Sequence, residues 1–152
     1  MTRHLNIKRV SAEEFAKIPE LDRLAADAFK DGRCPGTLSG FDLNLYRQLD
    51  KHNMSLLLIA YDGDEVAGWC GGYLTSDTYG VGKFMMQESI YIKPEYRNTM
   101  LPGRLIKRFE AEARTFNSCT GVLWSACPGS PFERTLDRHY KLYSKNYVRL
   151  FL

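Results

Sequence analysis

Residues Met85 to Phe116, MMQESIYIKPEYRNTMLPGRLIKRFEAEARTF, read as a strand, a charged turn and an amphipathic helix. Met86, Glu88, Ile90 and Ile92 alternate with Gln87, Ser89, Tyr91 and Lys93, the period of a strand. Pro94 stops it, because proline brings no ladder donor and biases Lys93 toward extended geometry. Beyond the turn, Leu105, Ile106, Phe109, Ala113 and Phe116 recur at helical spacing, with charged residues between them. Pro102 suits the first helical position, where a missing N–H costs nothing. The first N–H groups of a helix have no backbone partners and the macrodipole is positive there. With Arg97, Arg104, Lys107 and Arg108 at the same end, the turn suits a ligand that carries phosphates. An ordinary strand–helix unit with a solvated basic face has the same pattern, and short anion-loop motifs match by chance.

Ile90-Tyr91-Ile92-Lys93-Pro94-Glu95-Tyr96-Arg97, followed by Arg104-Leu105-Ile106, resembles the acetyl-CoA-binding segment of the GNAT N-acetyltransferase superfamily. The resemblance implies that backbone amides of Ile90, Tyr91 and Ile92 hold the acyl oxygen and the pantetheine arm. It implies a pyrophosphate loop made of Arg97, Asn98, Thr99, Met100, Leu101, Gly103 and Arg104. Asn98, Met100 and Pro102 stand where the family has glycines, and Met100 is the residue expected to keep backbone and phosphate apart. By the same resemblance, Glu88 lies beside the acetyl position and is the candidate general base. An amine such as lysine, with a pKa near ~10.4, is neutral in only about one part in a few thousand at pH 7, so a base helps. Many members protonate the leaving thiolate with a tyrosine on a late helix. Here Phe132 to Arg138 contains none, and Tyr140 and Tyr143 just beyond it are the substitutes. The early helices line the acceptor groove in this family, which makes Asp27, Asp31, Asp42 and Tyr46 candidate amine contacts. Each reads first as a solvated helix or loop residue.

The chain has 152 residues, enough for one domain with a real core. Apolar residues make up 44% and charged residues 26%, the balance of a globular protein. A formal charge of +3 is too small to argue for nucleic acid by itself. Cys34, Cys70, Cys119 and Cys127 show no metal-ligand spacing with His4, His52 or His139, so no metal is expected. Reduced thiols in a cytoplasm are the economical reading. The longest apolar run, Leu56 to Tyr61, is far too short to span a bilayer. Cys127, without an obvious His partner, reads as a packing residue rather than a nucleophile, and His139 as a surface or capping residue.

Taken in order, His4 to Val10 is a strand. Ser11, with Glu14 three residues on, caps a helix whose apolar stripe runs to Phe29, with room for a bend at Pro19. A second helix covers Phe41 to Lys51. Ser55 to Tyr61 and Glu65 to Thr75 form a hairpin across Asp62-Gly63-Asp64. Gly68, Gly71 and Gly72 mark a bulge or a close backbone approach. Thr75 to Lys83 is a loop, Gly121 to Ala126 a strand, and Lys141 to Leu152 a pair of short strands. The terse C-terminus is similar to that of small GNAT-like proteins of bacteriophages.

This order matches the resemblance and gives an α/β fold over residues 1–152. It is a GNAT-like, mixed and mostly antiparallel sheet of six to seven strands, with helices on both faces. The activity it implies is transfer of an acetyl group from acetyl-CoA to an amine acceptor, small molecule or protein, with room for a homodimer. The alternatives are a GNAT-shaped protein that acts through contacts with another protein, and an enzyme that acetylates a nucleic-acid-linked amine.

Overall fold

The computed structural model describes residues 4–32, 41–76, 82–143, 145, 147, 149 and 151. They fall into two compact units, Met1–Pro19 with Asp42–Leu123, and Glu20–Phe41 with Trp124–Leu152.

The first unit is built on five strands in the order of the sequence: β1 (Leu5–Val10), β2 (Ser55–Asp62), β3 (Glu65–Ser76), β4 (Lys83–Ile92) and β5 (Cys119–Leu123). Neighbours pair antiparallel except β4 and β5, which run parallel. The hairpin between β2 and β3 turns on Gly63, whose φ of 60° suits a residue without a Cβ. The interior strand β2 is apolar without alternation, and Leu56, Leu58, Ile59 and Ala60 are wholly buried. A strand buried on both faces reads this way, each large side chain contributing about 1.5–3 kcal/mol.

Two adjacent glycines show what covers those faces. A Cβ on Gly72 would meet Phe109 Cζ at 2.9 Å, from helix α4 (Leu101–Ala113). A Cβ on Gly71 would come within 3.0 Å of the hydroxyl of Tyr46, from helix α3 (Leu43–Lys51). Successive strand residues point to opposite faces, so α4 covers one side and α3 the other. Helix α1 (Ala12–Ala16) shares the α3 side, since Phe15 packs edge-on against Trp69, two residues before Gly71. Ser11 caps α1 by accepting from the Glu14 N–H at 3.2 Å.

The second unit holds helix α2 (Leu21–Asp31) and helix α5 (Pro131–His139). Ser130 caps α5 by accepting from the Glu133 N–H. Trp124 packs against Phe132, with ring centroids 6.0 Å apart, and the Cys127 thiol donates to the Gly32 carbonyl.

Four expectations are corrected. The described residues form five strands rather than six to seven. The surplus came from the C-terminal stretch, where Lys141–Tyr143 and residues 145, 147, 149 and 151 join no strand. Tyr147 and Phe151 there are 90% and 95% exposed, so their alternation covers no core. The remaining residues of that stretch lie outside the described ones. The first helix is two: α1 ends before Pro19, and Glu20 takes a left-handed φ of 57° before α2 begins. The last strand lies at Cys119–Leu123 and not at Gly121 to Ala126. The expected loop from Thr75 to Lys83 is shorter, because β3 and β4 extend into it; residues 77–81 lie outside the described ones.

Candidate active site

The site begins with an irregularity in β4. Gly71 pairs with Ser89 and Gly72 with Gln87, so Glu88 is an extra residue opposite no partner in β3. A bulge of this kind re-aims a side chain. Glu88 is exposed, and its Oε2 accepts a 2.7 Å hydrogen bond from the hydroxyl of Tyr46. Ser89, the next residue, accepts from the Trp69 indole N–H at 2.9 Å. Trp69 and Tyr46 lie on one face of the sheet, so two successive residues of β4 reach the same side. Tyr46 is only 2% exposed, and burial first, then the Glu88 carboxylate, push its phenol far above the ordinary tyrosine range. It stays a donor toward the carboxylate.

Beyond the bulge, the direction of each backbone amide follows from one bond. Lys93 N donates to Ala67 O of β3 at 2.9 Å. N–H groups alternate sides along an antiparallel strand, so the Tyr91 amide also faces β3, while those of Ile90 and Ile92 face the other way. The Ile92 carbonyl agrees: it accepts from Arg97 Nε at 2.8 Å. On that other side, the parallel register with β5 runs from Lys83–Cys119 to Met86–Leu123, where β5 ends. Among the described residues, no strand of the sheet pairs with β4 there from Gln87 to Ile92.

The turn after β4 starts with a 3-10 turn at Pro94–Tyr96, held by the Tyr96 hydroxyl on Asp62 Oδ2 at 3.1 Å. Arg97 also lies beside the Tyr91 ring, 5.9 Å from its centroid, where the strand gives way to the loop. Thr99 Oγ1 donates to Tyr96 O at 2.6 Å and accepts from Leu101 N at 3.2 Å, closing the first turn of α4. Asn98 and Arg104 are exposed, and Leu101 is fully buried. Met100 is 77% exposed, with φ −74°, a conformation open to any residue, so no glycine geometry is demanded there. Pro102 stands second in the helix, and a Cβ on Gly103 would touch nothing within 4 Å. The backbone at the start of α4 is therefore bare on that side.

The other candidates belong to other elements. Tyr140 packs against Trp124 at 6.5 Å between centroids, and Tyr143 is 74% exposed, both in the second unit. Asp42 caps α3 through Asn44 N at 3.0 Å, and Asp27 pairs with Arg23 at 3.4 Å. Asp31 is the last residue of α2. The bond between Tyr46 and Glu88 was beyond sequence reasoning, because it joins residues 42 positions apart. Gly71 was the one signal: it leaves the space the phenol needs. Among the described residues, no three His, Cys, Asp or Glu side chains gather as metal ligands, and no helix is long and apolar enough to cross a membrane.

No curated protein gives a significant sequence match. Solved structures do match in fold. An aminoglycoside acetyltransferase from an uncultured soil metagenomic sample, in complex with sisomicin, superimposes with a TM-score of 0.68 at 17% identity, over 97% of this chain and 94% of that one. The ribosomal-protein-alanine N-acetyltransferase of Brucella melitensis biovar Abortus gives 0.69 at 15% identity, over 97% and 99%. A predicted acetyltransferase from Clostridium acetobutylicum, solved with acetyl-CoA, gives 0.70 at 13% identity, over 97% and 96%. The family model described as acetyltransferase (GNAT) family matches residues 14–131, a span that contains β4, the turn and α4. The chain belongs to the GNAT acetyltransferase family, whose members use acetyl-CoA.

Proposed function

We propose that the protein is an acetyl-CoA-dependent N-acetyltransferase in which Glu88 serves as general base toward an amine acceptor. The observation that carries this reading is the bulge at Glu88. It presents an exposed carboxylate, fixed at one oxygen by Tyr46, beside the strand edge that β5 leaves at Met86.

The residues present fit the cofactor by their chemistry. Ile90 and Ile92 direct backbone donors away from β3, which suits the acyl oxygen and the amide-bearing arm. In the first turn of α4 the Gly103 amide, the Arg104 side chain and the positive end of the macrodipole favour phosphate. Arg97 adds formal charge at the same place. When bound, acetyl-CoA supplies an activated acetyl group. The chain's own part is to accept the amine's proton at Glu88 and to aim the Ile90 and Ile92 amides at oxygen charge as it develops, the larger catalytic contribution. Tyr91 contributes its buried ring, tilted against Trp69 with centroids 5.0 Å apart, while its amide belongs to the sheet.

The acceptor is an amine of the kinds that the similar structures name, a small polyamine such as an aminoglycoside or the amino group of a protein. Cys70, Cys119 and Cys127 are free thiols, which supports a cytoplasmic setting. A second reading, action through contacts with another protein, draws on the loop, where Asn98 and the exposed Met100 replace glycines.

Thiol release from acetyl-CoA, followed with an aminoglycoside, an alanine-ended peptide and a lysine peptide, tests the proposal. We expect turnover with one of these classes. Glu88→Gln should lower it about 10²-fold at pH 7, with KM for acetyl-CoA unchanged and part of the loss recovered as rising pH neutralises the amine. Equal turnover by the variant would remove Glu88 from the chemistry. No turnover with any amine, and no affinity for the cofactor, would leave the second reading.

A further inference from the structure

We propose that Tyr46 is a positioning residue for acetyl transfer: its buried phenol holds one oxygen of Glu88 and leaves the other to take the proton of the acceptor amine. The inference rests on the reading of Glu88 as general base. Glu88 sits on a bulge and is exposed, so its side chain has many rotamers to choose among in water. A donor that cannot move selects one of them. Tyr46 is such a donor: at 2% exposure it is enclosed by protein and shielded from contact with an acceptor.

The helix that carries Tyr46 is tied down around it. Arg47 pairs with Glu13 at 2.6 Å, linking α3 to the first turn of α1. Asp50, one turn further on, accepts from the Ala12 N–H at 2.7 Å and from the Ser55 hydroxyl, linking α3 to both α1 and β2. On the sheet side, Gly71 and Leu57 bound the space in which the hydroxyl lies. A Cβ added to Gly71 would stand 3.0 Å from that hydroxyl and 2.9 Å from Leu57 Cδ2. The phenol thus has one place to be, 2.7 Å from Glu88 Oε2. A buried tyrosine also needs an acceptor for its own sake. The experiment must therefore separate orientation of Glu88 from satisfaction of Tyr46.

A double-mutant cycle does so. Wild type, Tyr46→Phe, Glu88→Gln and the double variant are compared for kcat, for KM toward acetyl-CoA and for melting temperature. We expect Tyr46→Phe to lower kcat about tenfold, with KM for acetyl-CoA unchanged. In the Glu88→Gln background the same change should lower kcat no further, because there is no longer a carboxylate to orient. Gly71→Ala, which pushes on the hydroxyl without deleting it, should repeat this pattern and serves if Tyr46→Phe does not fold. An unchanged kcat for Tyr46→Phe, or an equal loss in both backgrounds, would overturn the positioning role and leave Glu88 as base. Full activity in Glu88→Gln would overturn the base reading itself, and the positioning role with it.

Discussion

Between Gln87 and Ile92 the backbone is held by the sheet on one side and by buried rings from α1, α3 and β3. Between Asn98 and Met100 it is held by the local bonds of one threonine, Thr99, and its side chains lie largely in solvent. The two segments are a few residues apart and the proposed chemistry uses both. They reach their geometry differently. Around β4, side chains and the absence of side chains are decisive: Gly68, Gly71 and Gly72 of the neighbouring β3 are all places where a Cβ would collide. In the loop, the groups proposed to meet phosphate are backbone amides, and the side chains of Asn98 and Met100 are exposed. Substitutions should therefore have large effects around β4, intermediate effects where strand meets loop, and small effects in the loop.

The largest effect should come from Gly72→Ala. Its Cβ would fall 2.3 Å from Met86 O and 2.9 Å from Phe109 Cζ, so the β3–β4 ladder or α4 must shift. Overpacking of this kind costs about 3 kcal/mol, which should lower the melting temperature by roughly 6–12 °C. A melt within a degree of wild type would mean that the packed side of the comparison is softer than its contacts imply.

Arg97 stands at the junction. Arg97→Ala removes both the bond to Ile92 O and a charge near the start of α4. Arg114 caps the far end of the same helix, thirteen residues on, so it controls for general basicity. Calorimetric titration should show Arg97→Ala weakening acetyl-CoA binding by about 1.5–3 kcal/mol and Arg114→Ala hardly at all. Equal losses would show that overall charge draws the ligand.

The smallest effect belongs to Met100. Sequence alone makes it an obstacle to phosphate, but its φ of −74° and 77% exposure show a side chain that neither strains the backbone nor occupies the turn. Met100→Gly should change affinity by less than about 0.5 kcal/mol, as other exposed substitutions do. A clear tightening in the same titration would restore the obstacle and erase the contrast between segments.

Much of the fold could be read directly from the chain. The hairpin at Asp62-Gly63-Asp64, the cap at Ser11 and the amphipathic stripe of α4 are local signals, each readable within a few residues. The glycines of β3 marked a bulge or a close approach, and the structure has close approaches at all three, with the irregular pairing at Gly71 and Gly72. Other features were not local. Alternation in the C-terminal stretch suggests a face but names no partner, and none of the described residues there joins the sheet. The break at Pro19 depended on Glu20 turning left-handed, a choice that no residue type nearby dictates. At the site, Glu88 could be nominated from its place in the motif. The phenol that holds it could not, because burial of Tyr46 depends on how α3 packs over Gly71.

The central claim is that the β4 edge and the start of α4 bind acetyl-CoA. A thermal melt with and without the ligand tests it most directly. At one hundred times its dissociation constant the ligand adds about 2.7 kcal/mol, so the melting temperature should rise by roughly 5–11 °C. The rise should be much smaller in Arg97→Ala at the same ligand concentration. No rise in wild type at millimolar acetyl-CoA would contradict the account.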